Sequence, residues 1–524
     1  MKYIIVNMLL IAFVLEGCYE DKGNYDYSVV NNLDSISFLP QPTEKSGAFN
    51  YKYRQPSLDT LAVTYCPVVY QSLAENEDDI EYQWILSRKM DDKIVFDTVF
   101  GKELTLKFPP KEKTSYSPLF RAIDHTTGIE YYRDLKMSTI VPFTNSWFVL
   151  HGNYGERKLA VVEGINKEGE SLNIVHDAYE EIWNKKRFKN ANSLLYIPHD
   201  GRSPEVEHLF IIEQDSLSYM HPFDMLVFKR FELLMPREAF PRPRLSYGIS
   251  DGKDAGMIVD NNGQLYWTRG WGWLFKVKTD KLIDNYVVNK IFMTSSGYVT
   301  VWDQENRTFM YYYILQNSLI RKDSETHPSD KGRALLTLFD EGIFKENEWK
   351  NQSVRYMVQG NSSISEKGVL VIAQEDNGNY NIYQIGYEGR GDIFIEQTKT
   401  PAPKMRLDDN SQVATSIAFK DQIFYTRGDK LYLYNIASGE EVYLYKANGL
   451  ITKLKFRSDR RFDKGYGTID ANNRLALVVK KADGGGEIHE LFLSIGGDID
   501  KALIYSGFGE IQDLEFSIPG MLRN

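Results

Sequence analysis

The sequence predicts an all-β protein with two regions: an Ig-like β-sandwich over residues 32–144, then a β-propeller of about seven blades over residues 145–524. Three observations carry this. The N-terminal region consists of short alternating strands between polar turns, with Trp84 set among apolar residues in Glu81-Tyr82-Gln83-Trp84-Ile85-Leu86. In the C-terminal region a single unit, an apolar strand, a tight polar turn and another apolar or aromatic strand, recurs seven times. The composition, 42% hydrophobic and 13% aromatic with 34 tyrosines, supplies cores for both.

In the N-terminal region, the Trp84 strand resembles the central tryptophan strand of an immunoglobulin-like sandwich, without the disulfide on which that tryptophan usually packs. Phe120–Asp124 leads into the turn His125-Thr126-Thr127-Gly128 and then Ile129–Tyr132, a hairpin in which Asp124 reads as a turn cap rather than a catalytic acid. Cys18 and Cys66 are the only cysteines. Cys66 lies in the apolar run Leu61–Tyr70, which suits a buried structural thiol with no nearby group to activate it.

In the C-terminal region, the seven hairpins turn at Gly155, Asp215, Gly263, Asn306, Gly378, Asp429 and Asn473, with steps of 60, 48, 43, 72, 51 and 44 residues. Four-stranded propeller blades repeat every ~40–50 residues, so four steps fit closely. The long steps hold two helical stretches, Ala178–Arg187 and Gly332–Phe339. Such regular spacing favours a ring over two packed sandwiches, with six or eight blades as neighbouring solutions, and a ring also removes exposed strand edges. Ala502–Tyr505 is expected to close it by pairing into the first blade. No repeated blade signature identifies a particular propeller family.

The N-terminus reads as an address. Lys2 precedes the apolar run Tyr3–Leu15, which is too short to span a bilayer, for which ~20 residues are needed. Residues 1–17 thus read as a signal peptide and 18–31 as an anchor linker. Leu15-Glu16-Gly17-Cys18 resembles a bacterial lipobox, which implies lipidation at Cys18. Tyr19-Glu20-Asp21-Lys22 resembles an acidic surface-export signal, and the whole run CYEDKGNYDY resembles the opening of the PKD-like family lipoproteins. That resemblance implies an Ig/PKD-like spacer or binding domain and an outer-membrane lipoprotein facing the cell exterior. It also implies a partner, a starch-utilisation-type TonB-dependent transporter complex.

The net charge of −10 argues against nucleic acid, whose phosphates require a basic surface. Eight scattered histidines show no zinc-type spacing, and no Walker loop, dinucleotide fingerprint or nucleophile elbow is present, so neither metal nor cofactor is expected. Asp376-Asn377-Gly378-Asn379 lacks the distal ligands of a calcium loop and reads as a turn, and Asp260, Asp303 and Asp470 occupy equivalent turns.

The segment that reads as a site is Tyr266-Trp267-Thr268-Arg269-Gly270-Trp271-Gly272-Trp273. Trp267 and Arg269 share a strand face, and the glycines free Trp271 and Trp273 from bulky neighbours. Flat aromatic faces suit sugar rings or apolar peptide side chains, and Arg269 suits a carboxylate. Packing between blades is the competing use of these tryptophans. Trp302 and Tyr311-Tyr312-Tyr313 are weaker candidates. The expected function is accessory binding or scaffolding in glycan or peptide uptake, with a propeller hydrolase or lyase acting on an extracellular polymer as the alternative and a structural subunit as a third class.

Overall fold

A computed structural model describes residues 33–41, 43–45, 48–54, 60–73, 79–90, 93–109, 114–140, 143, 146–163, 173–197, 208–213, 217–220, 225 and 227–230. It further describes residues 245–250, 255–269, 273–276, 278–279, 286–293, 298–313, 318–320, 349–362, 368–386, 397–457 and 471–517. Cys18 and its leader, the Gly332–Phe339 stretch and Asp470 lie outside these residues. The chain divides into two compact units, residues 1–140 and 141–524.

The first unit is a β-sandwich. One sheet holds Leu33–Leu39, Leu61–Gln71 and Leu104–Phe108. The other runs Thr43–Lys45, Ala48–Arg54, Glu130–Ile140, Leu119–Asp124, Ile80–Met90 and Lys93–Phe100, and Ser115–Tyr116 also pairs with Glu130–Ile140. Strict alternation makes these strands two-faced: along Leu104–Phe108 every second residue is buried. Trp84 is fully buried where a disulfide would be expected. It packs at a tilt on its cross-strand neighbour Phe120, at 4.8 Å, and edge-on with Phe38 of the facing sheet, at 6.0 Å, and its indole donates to the Lys102 carbonyl at 3.3 Å. Aromatic area thus joins the sheets in place of a covalent bond. Asp124 caps its turn, accepting from the Thr126 and Thr127 amides at 2.9 and 3.2 Å. Cys66 is a free thiol, half-buried rather than enclosed.

The second unit is a propeller, with seven sheets among the described residues. Blade I combines Ile511–Ser517, Ser146–His151, Lys158–Glu163 and Asn173–Val175. Blade II holds Ala191–Ile197, His208–Glu213, Leu217–Met220 and Val227–Arg230; blade III holds Leu245–Ser250, Ala255–Asp260, Leu265–Arg269 and Trp273–Lys276. Blade IV runs Val288–Met293, Tyr298–Asp303, Thr308–Tyr313 and Ser318–Ile320, with Lys278–Thr279 added in parallel. Blade V holds Gln352–Gln359, Val369–Glu375, Tyr380–Ile385 and Gln397–Pro401. Blade VI holds Val413–Ala414, Gln422–Arg427, Lys430–Asn435 and Glu440–Lys446, and blade VII holds Leu450–Phe456, Arg474–Lys480, Gly486–Leu493 and Ile499–Phe508. The first strand named in each blade is the innermost, and these strands neighbour one another around the axis.

Six of the seven turns read from the sequence join the second and third strands of a blade. The seventh differs: Asn473 precedes the second strand of blade VII, whose corresponding turn is at residues 481–485. In blade III that turn needs Gly263, at φ +74°, since a Cβ there would lie 2.6 Å from the Val288 amide of blade IV. The predicted helix at Ala178 is shorter than expected, Ala178–Trp183, capped by Asp177 through the Glu180 amide (3.1 Å) and ended by Asn184 in the left-handed region.

The innermost strands share a further feature. In six blades the pairing with the second strand shifts by one residue near the strand's start, leaving a bulge at Asn192, Ser246, Asn289, Arg355, Thr452 or Gln512. All six are polar and half-buried. A bulge sharpens twist where strands crowd the axis and re-aims the side chain it carries.

Closure also differs from the sequence expectation. Ala502–Tyr505 belongs to the outermost strand of blade VII, and Ile511–Ser517 closes the ring by pairing antiparallel with Ser146–His151, Trp147 opposite Phe516. A buried charge network locks the joint. Arg457 donates to both Glu490 oxygens (2.5 and 2.8 Å), which also accept from the Trp147 indole and the Tyr505 hydroxyl, both at 3.0 Å. Nearer the axis, Asp513 of the closing strand accepts from Lys453 of blade VII (2.6 Å) and from the Ser193 hydroxyl and Leu194 amide of blade II (2.6 and 2.9 Å). Lys455 pairs with Glu515 at 2.5 Å. Burial pushes the Asp513 carboxyl up, but Lys453 and Lys455 outweigh it and hold the group below the usual carboxylate range. For Glu515 burial wins over Lys455, and its carboxyl is pushed up to about 7.

Two outcomes are expected. Trp84→Ala should destabilise the sandwich by about 3–5 kcal/mol in denaturant unfolding, the range for a large buried aromatic. Glu515 holds its proton more tightly folded than unfolded, so the stability tied to it is complete below pH 4.5 and is lost as pH rises through about 7. Glu515→Gln does not titrate, so urea melts should show it gaining about 2 kcal/mol on the wild type between pH 5 and 8. A constant gap would show that Glu515 stays ionised throughout.

Candidate functional site

The tryptophan-rich segment lies in the outer half of blade III. Leu265–Arg269 is its third strand and Trp273–Lys276 its fourth, and residues 270–272 between them lie outside the described residues. Trp267 stands in register between Met257 and Phe275, and Arg269 between Ala255 and Trp273. Arg269 and Trp273 are therefore cross-strand partners at the end of the hairpin. Trp271 lies outside the described residues, and Arg269 and Trp273 are described through their backbones.

Strand alternation sends Tyr266 and Trp267 to opposite faces. Tyr266 packs with Leu195, Ile197, Phe210 and Ile212 of blade II. Its hydroxyl donates to Asp260 at 3.4 Å, and burial followed by the Asp260 charge raises its pKa, so it remains a donor. Trp267 is half-buried and packs on the core shared with blade IV, which includes Met257, Val259, Val299, Val301 and Met310. Trp267 thus belongs to the packing between blades III and IV. Trp302, the weaker candidate one blade on, is buried against Phe309 and Trp349 at 4.9 and 5.4 Å.

Groups that resemble catalytic machinery are engaged in structure. The Asp260 carboxylate accepts from the Asn262 and Gln264 amides (2.9 and 2.8 Å), and Asp303 accepts from Val287 and Glu305 (both 3.1 Å), as turn caps do. The Asn377 side chain accepts from the Asn379 amide at 2.9 Å. A Tyr–His–Glu chain joins blades VI and VII: the Tyr445 hydroxyl meets His489 Nδ1 at 3.1 Å, and His489 Nε2 meets Glu487 at 3.2 Å. Burial and the Glu487 charge raise the Tyr445 pKa, which leaves the phenol protonated and poorly suited as a nucleophile. Among the described residues, no three His, Cys, Asp or Glu side chains gather as a metal site would require.

The axial charges were missed from sequence, although a signal for them exists. Lys453 and Lys455 form K-x-K, Asp513 and Glu515 form D-x-E, and the two-residue spacing matches one strand face to another.

No curated protein matches the chain. Among solved structures, a quinonprotein alcohol dehydrogenase-like protein from Bacteroides thetaiotaomicron is similar over 91% of this chain and 99% of its own, at 13% identity and a TM-score of 0.43. The Cps50 β-propeller domain of Myceliophteria thermophila is similar over 64% of this chain and 93% of its own (12% identity, TM-score 0.39). The extracellular domain of a protein described as a one-component system from B. thetaiotaomicron is similar over 70% and 48% (12% identity, TM-score 0.34). In sequence, residues 18–189, from Cys18 through the sandwich and three of the four strands of blade I, match the PKD-like family.

Proposed function

We propose that this chain is a lipoprotein anchored at Cys18 in the outer membrane, facing the cell exterior, and that it serves as an accessory binding or scaffolding component of a glycan or peptide uptake system. One observation carries the reading. The PKD-like match begins at Cys18, the residue that the apolar leader and lipobox-like sequence mark as the mature N-terminus. Two acyl chains suffice for stable anchoring, and no described helix is long and apolar enough to cross a membrane. The transporter partner enters through the family resemblance.

We assign ligand contact to the segment of blade III that carries Arg269, Trp271 and Trp273, which follows the half-buried Trp267 in sequence. Aromatic faces and one guanidinium suit a sugar ring or an apolar peptide bearing a carboxylate. The rival reading, a hydrolase or lyase, has the Asp513 and Glu515 carboxyls in its favour, since their proton affinities are pushed apart as in acid–base pairs. Both, however, are tied to lysines across the ring joint.

Cys18→Ser should move the protein from the membrane fraction to the soluble one on cell fractionation; continued membrane association would sink the anchor. The soluble form starting at Glu20, offered polysaccharide and peptide panels, should retain a ligand without new reducing ends or amines. Release of products would replace this reading with the enzyme. Within the binding assay, Trp271→Ala and Trp273→Ala should weaken retention at least tenfold with unchanged melting. Trp267→Ala should instead lower stability, by about 2–4 kcal/mol.

A further inference from the structure

The innermost strands of the propeller carry four cationic side chains, Lys290, Arg355, Lys453 and Lys455, and two carboxylates, Asp513 and Glu515. The two carboxylates are already taken, by Lys453 at 2.6 Å and Lys455 at 2.5 Å. On the neighbouring innermost strands of blades IV and V, Lys290 and Arg355 stand together without an acidic strand residue to answer them. Lys290 directly follows the bulge at Asn289, and Arg355 is itself a bulge residue.

Lys290 is half-buried, with its Nζ over the Tyr356 ring at 5.8 Å from the centroid, and no carboxylate among the described residues pairs with it. The strands that carry Lys290 and Arg355 are in contact, and burial first, then the charge of Arg355, lowers the proton affinity of Lys290. Arg355 meets Asp409 at 2.9 Å, but the Asp409 side chain is 94% exposed. An ion pair to so solvated a partner holds weakly, and it leaves guanidinium donors for another acceptor. The fold gains nothing from crowding a half-buried ammonium against a like charge. An oxyanion between them would offset both desolvation and repulsion. The protein's net charge of −10 makes a general attraction for anions an inadequate account of such a pair.

We propose that Lys290 and Arg355 form a binding site for a carboxylate or sulfate group of an anionic ligand, at the bulged end of the axial strands of blades IV and V. Lys290 supplies the point charge and Arg355 the planar fork, while Tyr356 supports the lysine stem and Asp409 yields to the ligand. The site lies on the axial strands of blades IV and V, whereas the tryptophan-rich segment belongs to the outer strands of blade III.

The test is calorimetric titration of the full chain at pH 7 with sodium sulfate and, separately, sodium glucuronate, each against sodium chloride of equal ionic strength. At least one anion should bind saturably beyond chloride. Lys290→Met and Arg355→Gln should each weaken that binding tenfold or more, and Lys290→Arg should retain it. Lys290→Met should melt no lower than wild type, since it keeps the apolar stem and removes the unanswered charge. A response to sulfate alone assigns a sulfate-bearing ligand, and one to glucuronate alone a carboxylate. The proposal is overturned if neither anion exceeds chloride, or if Lys290→Met binds as the wild type does.

Discussion

The propeller depends on one antiparallel pairing, Ile511–Ser517 against Ser146–His151, which joins the two ends of the second unit. Every other blade is contiguous in sequence; blade I is assembled from both ends. If that pairing opens, the ring has two raw sheet edges, and the core shared by blades I and VII, containing Trp147, Ala476, Ile488, Tyr505 and Phe516, faces water. The joint is accordingly reinforced beyond its ladder. Glu490 is fully buried, yet both its oxygens are satisfied by Arg457, Trp147 and Tyr505, and Arg457 lies over the Phe516 ring at 4.7 Å. A buried carboxylate is costly when left alone and specific when fully answered. Here its partners come from blades I and VII, so the charges are satisfied only when the ring is closed in register.

The same logic runs through the blades. The middle strands of the sheets are buried on both faces by neighbouring blades, so consecutive residues of one strand serve different cores. Tyr266 belongs to the blade II side and Trp267 to the blade IV side. Fully buried runs such as Ser146–His151 and Tyr380–Ile385 follow from this, since neither face of those strands meets solvent. The sandwich obeys the opposite rule: each sheet there has one wet face, and Leu104–Phe108 alternates. Two kinds of strand pattern thus distinguish two architectures within one all-β chain.

That contrast explains how much could be read in advance. The hairpins were legible because their turns are local: Asp260-Asn261-Asn262-Gly263 and Asp376-Asn377-Gly378 announce themselves by residue type. Trp84 was legible as a sandwich core residue for a similar reason, while the aromatic pair that replaces its disulfide, Phe38 and Phe120, lies on distant strands. The closing strand was misplaced because Ala502–Tyr505 looks more apolar than Gln512-Asp513-Leu514-Glu515. The lysines that pair with its acids are some sixty residues away in blade VII. Sequence periodicity reports which face a residue occupies and is silent about partners supplied by another blade. The tryptophan-rich segment shows the same limit, since spacing gathers its aromatics in one hairpin but does not say that Trp267 is spent on the blade IV core.

Charge placement at the axis separates structural from functional use more sharply than residue type does. Lys453, Lys455 and Lys290 are the same residue on equivalent strands. The first two meet carboxylates across the joint, and their pairs knit blades VII, I and II together. The third meets an aromatic ring and stands beside an arginine. A closed ring tolerates such a local cost because its stability is spread over seven interlocked sheets, and one unfavourable contact cannot open a joint held elsewhere. The strand that closes the ring satisfies its own charges, whereas Lys290 of blade IV meets no carboxylate among the described residues and Arg355 of blade V meets only the exposed Asp409.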